Sequence, residues 1–159
     1  MAKRARPKPE YLRPEEFAAW HGTLLAGTRV LRALDEGLRA HHGISVAEFD
    51  VLITLANAPD KRLRMAELAR SVALSAAGLT HLVTRLEREK LLTREVDPAD
   101  RRGYHTVLTE AGEERLDASR PVHNRIIREL LLDHMSAADK RALGAIWKRC
   151  EESAKQSKR

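Results

Sequence analysis

The stretch from Ser75 to Lys90 constrains this chain more than any other. Wound as a helix, it places Leu79, Leu82, Val83 and Leu86 within an arc of roughly 100°. Ala77, His81, Thr84, Arg85 and Arg88 fall on the opposite side, with Thr80 beside them. One face is built to pack; the other is small, polar and basic. Ser75 stands where an N-cap is needed. Ahead of it, Met65, Leu68, Ala69 and Val72 mark a short helix over 65–72, and Ala73-Leu74-Ser75 supplies a turn. Behind it, Leu92–Asp97 and Tyr104–Leu108 read as two strands, the second rich in β-formers. Pro98-Ala99-Asp100-Arg101-Arg102-Gly103 joins them, with the Pro and Gly of a loop.

Long helices flank this lobe. From Pro14, Phe17, Trp20, Leu24, Gly27, Leu31, Leu34 and Leu38 recur at alternating spacings of three and four, a seam that needs a partner helix along its length. Pro14 suits a first turn, and Glu15 and Glu16 suit the positive end of the dipole. Ser45-Val46-Ala47-Glu48 is a capping box opening a second helix, with Phe49, Leu52, Ile53 and Ala56 inward. Thr109 caps a helix running from Glu110 to about Leu132, with Pro121 as a place to bend. Ser136-Ala137-Ala138-Asp139 starts a last helix carrying Leu143, Ile146, Trp147 and Cys150. The expected organisation is a flexible basic arm over 1–13, one domain over 14–152 and a frayed tail over 153–159. Within the domain, helices at about 14–42 and 110–152 flank a lobe at about 45–109. The arm carries Lys3, Arg4, Arg6 and Lys8, and two readings stay open for it: a solvated tail, or a segment reaching into a minor groove.

A chain of 159 residues is long enough for one hydrophobic core, and 43% hydrophobic with only 4% aromatic residues favours helices. No apolar run reaches the roughly 18 residues of a membrane span, and none follows the basic start as a secretory signal requires. With a single cysteine, an intrachain disulfide and a multi-cysteine metal cage are both excluded. The cytoplasm is the expected compartment. Seven histidines raise the question of a metal, but His41 and His42 point about 100° apart on a helix, and no histidine pair has zinc spacing. His123 and His134, eleven apart, could share a face. There is no nucleophile elbow and no phosphate-cradling glycine loop, so an enzyme is not expected, nor a cofactor. The net charge of +6, from 29 Lys+Arg against 23 Asp+Glu, favours a polyanionic partner without proving one.

Short helix, tight turn, basic-faced helix and hairpin is the order of a winged helix-turn-helix, in which the second helix enters the major groove of DNA. The fold class is therefore mainly α: a winged helix-turn-helix with a two-stranded β-wing and long N- and C-terminal dimerisation helices. Candidate DNA contacts are Ser75, Ala77, Thr80, His81, Thr84, Arg85 and Arg88 on the helix, and Arg101 and Arg102 at the hairpin tip. Guanidinium groups suit the negative potential of a narrow minor groove. A competing reading pairs those arginines with Asp97 and Asp100 in a solvated loop. Gly78 is explained either by close approach to the duplex or as tolerated variation. Leu34 and the first-helix seam, with Ile126, Ile127, Leu130, Leu131 and Leu132, carry more apolar surface than so small a lobe covers, which argues independently for a homodimer.

Asp97-Pro98-Ala99-Asp100-Arg101-Arg102, followed by Val107-Leu108-Thr109-Glu110-Ala111-Gly112, resembles the wing signature of the MarR family of bacterial regulators. Glu67-Leu68-Ala69 and Leu82-Val83-Thr84-Arg85-Leu86-Glu87-Arg88 are similar to that family's two helix-turn-helix helices. The resemblance implies a homodimeric regulator, with Arg102 entering the minor groove and Asp100 ordering the wing. Arg85 is the first candidate for base readout, and Thr80, His81 and Thr84 are candidates for phosphates or thymine methyls. Two-fold symmetry implies an inverted repeat in double-stranded DNA, its half-sites about 34–36 Å apart. Repression relieved by a small aromatic effector is the family's habit, and Trp20, His21, His41, His42 and Asp50 are the residues here that such a cleft could use. Trp20 as a plain seam residue is the alternative. The family's cysteine sensors carry their thiol in the first helix; Cys150 lies in the last, leaving it either a packed small residue or a redox sensor. A non-specific architectural DNA binder is the other alternative.

Overall fold

The structure, a computed structural model, describes residues 11–72, 75–97 and 103–156. Helix α1 spans Pro14–His42 and α2 spans Val46–Ala56; after a 3-10 turn come strand β1 (Arg62–Arg64) and helix α3 (Met65–Ser71). Helix α4 (Ala76–Arg88), strands β2 (Leu92–Val96) and β3 (Tyr104–Leu108), and helices α5 (Glu110–Leu130) and α6 (Ala137–Gln156) complete the chain. No helix among the described residues is long and apolar enough to cross a membrane.

The caps act where side-chain chemistry requires. Ser45 Oγ accepts from the Glu48 amide (3.2 Å), and Glu48 Oε2 accepts from the Ser45 amide (2.6 Å). Both orphan donors of the α2 start are thereby met. Ser75 Oγ accepts from Gly78 N (3.1 Å) and starts α4. Thr109 Oγ1 accepts from Gly112 N (3.1 Å) and donates to Lys90 O (2.7 Å), tying the start of α5 to the end of α4. α1 ends at Gly43, whose φ of 67° is the left-handed C-cap conformation glycine adopts without strain.

Two expectations need correction. The sheet has three strands in the order β1-β3-β2, not two, because Arg62–Arg64 pairs antiparallel with β3 in the register Arg62↔Val107 to Arg64↔His105. Three residues are too few to show a period of two, so the strand exists only through its partner. The last helix also continues to Gln156 rather than fraying from residue 153. The β2–β3 hairpin runs from Leu92↔Leu108 to Val96↔Tyr104, as its alternation implied.

The core gathers under α4. Leu79, Val83 and Leu86 are fully buried against Leu52 and Leu55 of α2, Leu68 of α3, and Leu91, Leu92, Leu108 and Leu116. Leu82 is only partly buried and packs at the margin. Gly112 has no room for a side chain: a Cβ there would meet Leu91 O at 2.2 Å and Leu108 Cδ1 at 2.7 Å. α1 packs chiefly on α5, but only through its C-terminal half. Leu34 and Leu38 are buried, whereas Phe17, Trp20, Leu24 and Leu31 are each about half exposed.

Candidate nucleic-acid interface

Because its leucine face is anchored, α4 has one orientation, and the opposite face points outward. Ala77, Gly78, Thr80, His81, Thr84, Arg85 and Arg88 are all exposed. The small residues at its start leave the backbone open to close approach. Gly78 also has a local reason, since a Cβ there would lie 3.1 Å from the capping hydroxyl of Ser75. Ser75 is exposed, but its hydroxyl serves the cap.

A cation that sequence reasoning missed joins this face from the sheet. Arg94 of β2 donates from Nη2 to Thr84 Oγ1 (3.1 Å), and its Nε lies 3.4 Å from Glu87 Oε2. Only the hairpin register places it there. Arg85, in contrast, faces two carboxylates: its Nε is 3.1 Å from Glu48 Oε1 and 3.1 Å from Glu89 Oε1.

Arg101, Arg102 and Asp100 lie outside the described residues, and so does the basic arm as far as residue 10. The base of their loop is described. Asp97, only 4% exposed, pairs with Arg64 at the start of α3 and has His105 Nδ1 at 3.9 Å. Its amide donates to Gly103 O (2.9 Å), closing the hairpin beneath the loop. A buried carboxylate thus binds the wing to the helix-turn-helix, a role no local pattern revealed because Arg64 is 33 residues away.

The cleft residues divide. A largely apolar cavity of about 530 Å³ lies between α1, α2 and α5, lined by Leu31, Leu34, Phe49, Ile53, Asp50 and His123 among others. Burial raises the Asp50 carboxyl above its usual range, against a smaller downward pull from His123. His123 stacks on Phe49 with ring centroids 4.2 Å apart. Trp20, His21, His41 and His42 do not line this cavity within the protomer. Trp20 is on the open half of α1, His21 stacks on Phe17 (5.2 Å), and His41 Nδ1 sits 2.9 Å from Gly37 O. No cluster of metal-ligating groups occurs among the described residues; His134 meets the Glu129 carbonyl instead (2.9 Å). Cys150 is exposed in the protomer, beside Ile146.

A buried-faced helix presented outward beside an anchored hairpin, on a helix-turn-helix lobe, defines a winged helix-turn-helix protein. The MarR family model matches residues 42–103, the span from the end of α1 to the wing. The regulator MhqR of Bacillus subtilis is 30% identical over 107 residues, covering 65% of this chain and 72% of its own. YkoM of the same organism, an HTH-type transcriptional regulator, is 34% identical over 82 residues, but this chain spans only 52% of its length. A MarR family regulator from Streptomyces coelicolor, solved in complex with DNA, superposes with a TM-score of 0.84 at 32% identity over 91% of each chain. The chain belongs to the MarR family of transcriptional regulators, and is a regulator rather than an enzyme.

Proposed function

We propose that this protein is a homodimeric, sequence-specific DNA-binding repressor that places α4 of each protomer in the major groove of an inverted repeat. The outward, polar and basic face of α4 carries the reading. Thr80, His81, Thr84 and Arg88 are the groups it offers to bases and phosphates, with Arg94 beside them, and Arg101 and Arg102 are assigned to the flanking minor grooves. The likeness to a relative solved on DNA supports the same use of the lobe. Occupying two half-sites blocks that stretch to other proteins, so repression is the direct consequence.

The test is the affinity for a duplex enriched by the protein from a randomised pool, compared with random duplex. A ratio well above one is expected; a ratio near one means an architectural binder. Log K should fall with log[salt] with a slope of about −0.9 per phosphate neutralised. Arg102→Ala should weaken binding to all sequences and reduce that slope by about one. An unchanged slope would displace Arg102 from the DNA face.

The effector part of the proposal rests on the cavity at the junction of α1, α2 and α5, large enough for a single aromatic ring and lined to match. Asp50 and His123 provide the polar contacts there. Calorimetric titration with a panel of phenolic compounds should show binding that lowers duplex affinity. No heat and no change in affinity across the panel would remove the effector.

A further inference from the structure

Arg85 is the most conspicuous cation on α4, and its surroundings give it a different task. Glu48, on the first turn of α2, is 1% exposed. Its Oε2 is fully occupied by the capping box, accepting from Ser45 N (2.6 Å) and Ser45 Oγ (2.8 Å). Its Oε1 is buried and makes no hydrogen bond among the described residues; the cation in contact with it is Arg85, at 3.1 Å. The Arg85 Nε–H itself is directed to Glu89 Oε1 (3.1 Å). The two carboxylates therefore hold the guanidinium from both sides, one by charge and one by hydrogen bond. Arg39, bound to Asp35 at 2.7 Å, stands on the rim of the same cavity of about 420 Å³ between α1, α2 and α4.

We propose that Arg85 is a positioning residue: with Glu48 it forms a latch that fixes the angle of α4 on α2, and base selection is carried by His81 and Thr84. This rests on the DNA-binding reading above and specifies how that site works. Swinging Arg85 out to a guanine would strand Glu48 Oε1 as an uncompensated buried charge, a larger loss than one base contact returns. The latch also joins two functional elements. Its carboxylate belongs to the turn whose neighbours Ala47, Phe49 and Asp50 line the apolar cavity on the other side of α2.

The experiment selects duplexes from a random pool with wild type, Arg85→Gln, Glu48→Gln and the double variant, and measures affinities at a temperature where all are folded by circular dichroism. A latch predicts that every variant enriches the wild-type motif. Each single substitution should weaken binding by roughly tenfold or more, and the double variant should bind no worse than the weaker single, because removing both charges strands neither. The proposal is overturned if Arg85→Gln loses preference at one base pair of each half-site while Glu48→Gln binds as wild type. Should Glu48→Gln fail to fold, Glu48→Asp makes the same comparison, since it keeps the charge but withdraws it from Arg85. If wild type enriches no duplex, the DNA-binding reading falls. The latch is then judged on its coupling in thermal unfolding, where additive effects of the two single substitutions would refute it.

Discussion

A guanidinium can meet a base, a phosphate or a carboxylate, and its role is decided by what it leaves behind when it moves. A bidentate contact with guanine discriminates by about 1–3 kcal/mol. Stripping a buried carboxylate of its partner costs about 3–5 kcal/mol, and the lower end applies to Arg85 because its side chain is 45% exposed and screened. The carboxylate still holds its own. The sequence placed Arg85 correctly on the outward face, but its ionic partner lies 37 positions earlier, on another helix, and no periodicity reports that. Asp50 poses a related problem. Burial holds its proton in the folded state to a higher pH than in the unfolded chain. The stability that proton contributes is therefore complete below the ordinary carboxylate range and is lost as pH rises through the raised value. Asp50→Asn should melt above wild type at neutral pH, with the gap closing as pH falls toward about 4. A gap that widens on acidification would mean that Asp50 is stabilised as the anion.

Elements were legible where a repeated pattern met a cap. The leucine arc of α4, the Ser45 and Thr109 caps and the β-formers of β3 each gave the right element, because local geometry alone dictates them. β1 was not legible: Arg-Leu-Arg has no period to read, and its hydrogen bonds belong to β3. The joint between hairpin and α5 is the tightest point. Gly112 lets the first turn of α5 lie directly on the Leu91 carbonyl, with backbone rather than a flexible side chain in the way. Gly112→Ala should therefore cost at least about 1–3 kcal/mol, read as a lower denaturant midpoint at unchanged slope. Wild-type stability would mean the joint opens freely. Gly37 is the contrast: there the obstacle is Ile126 Cδ1, a side-chain tip that can turn aside.

The molecule has a closed core beneath α4 and an open apolar flank elsewhere. Phe17, Trp20, Leu24 and Leu31 on α1, with Ile146 and Trp147 on α6, are each 41–56% exposed. That flank was anticipated from the heptad-like seam of α1, whereas the cavity containing His123 was not, since only the packing of α5 against α2 brings that histidine to Phe49. A second copy of the chain is the partner proposed for the flank. Leu24→Asp should convert a dimer into a species sedimenting at the 17.9 kDa of one chain and abolish selective duplex binding together with it. A dimer that persists would put the twofold contact on another face.

Whether α4 enters the major groove is decided by methylation protection at guanine N7, an atom displayed only in that groove. On a duplex enriched by the protein, the outward face of α4 in a two-fold dimer predicts two protected patches on one side of the helix, centred about 34–36 Å apart. Duplex that is bound but fully reactive at N7, or protected in a single unpaired patch, would contradict it.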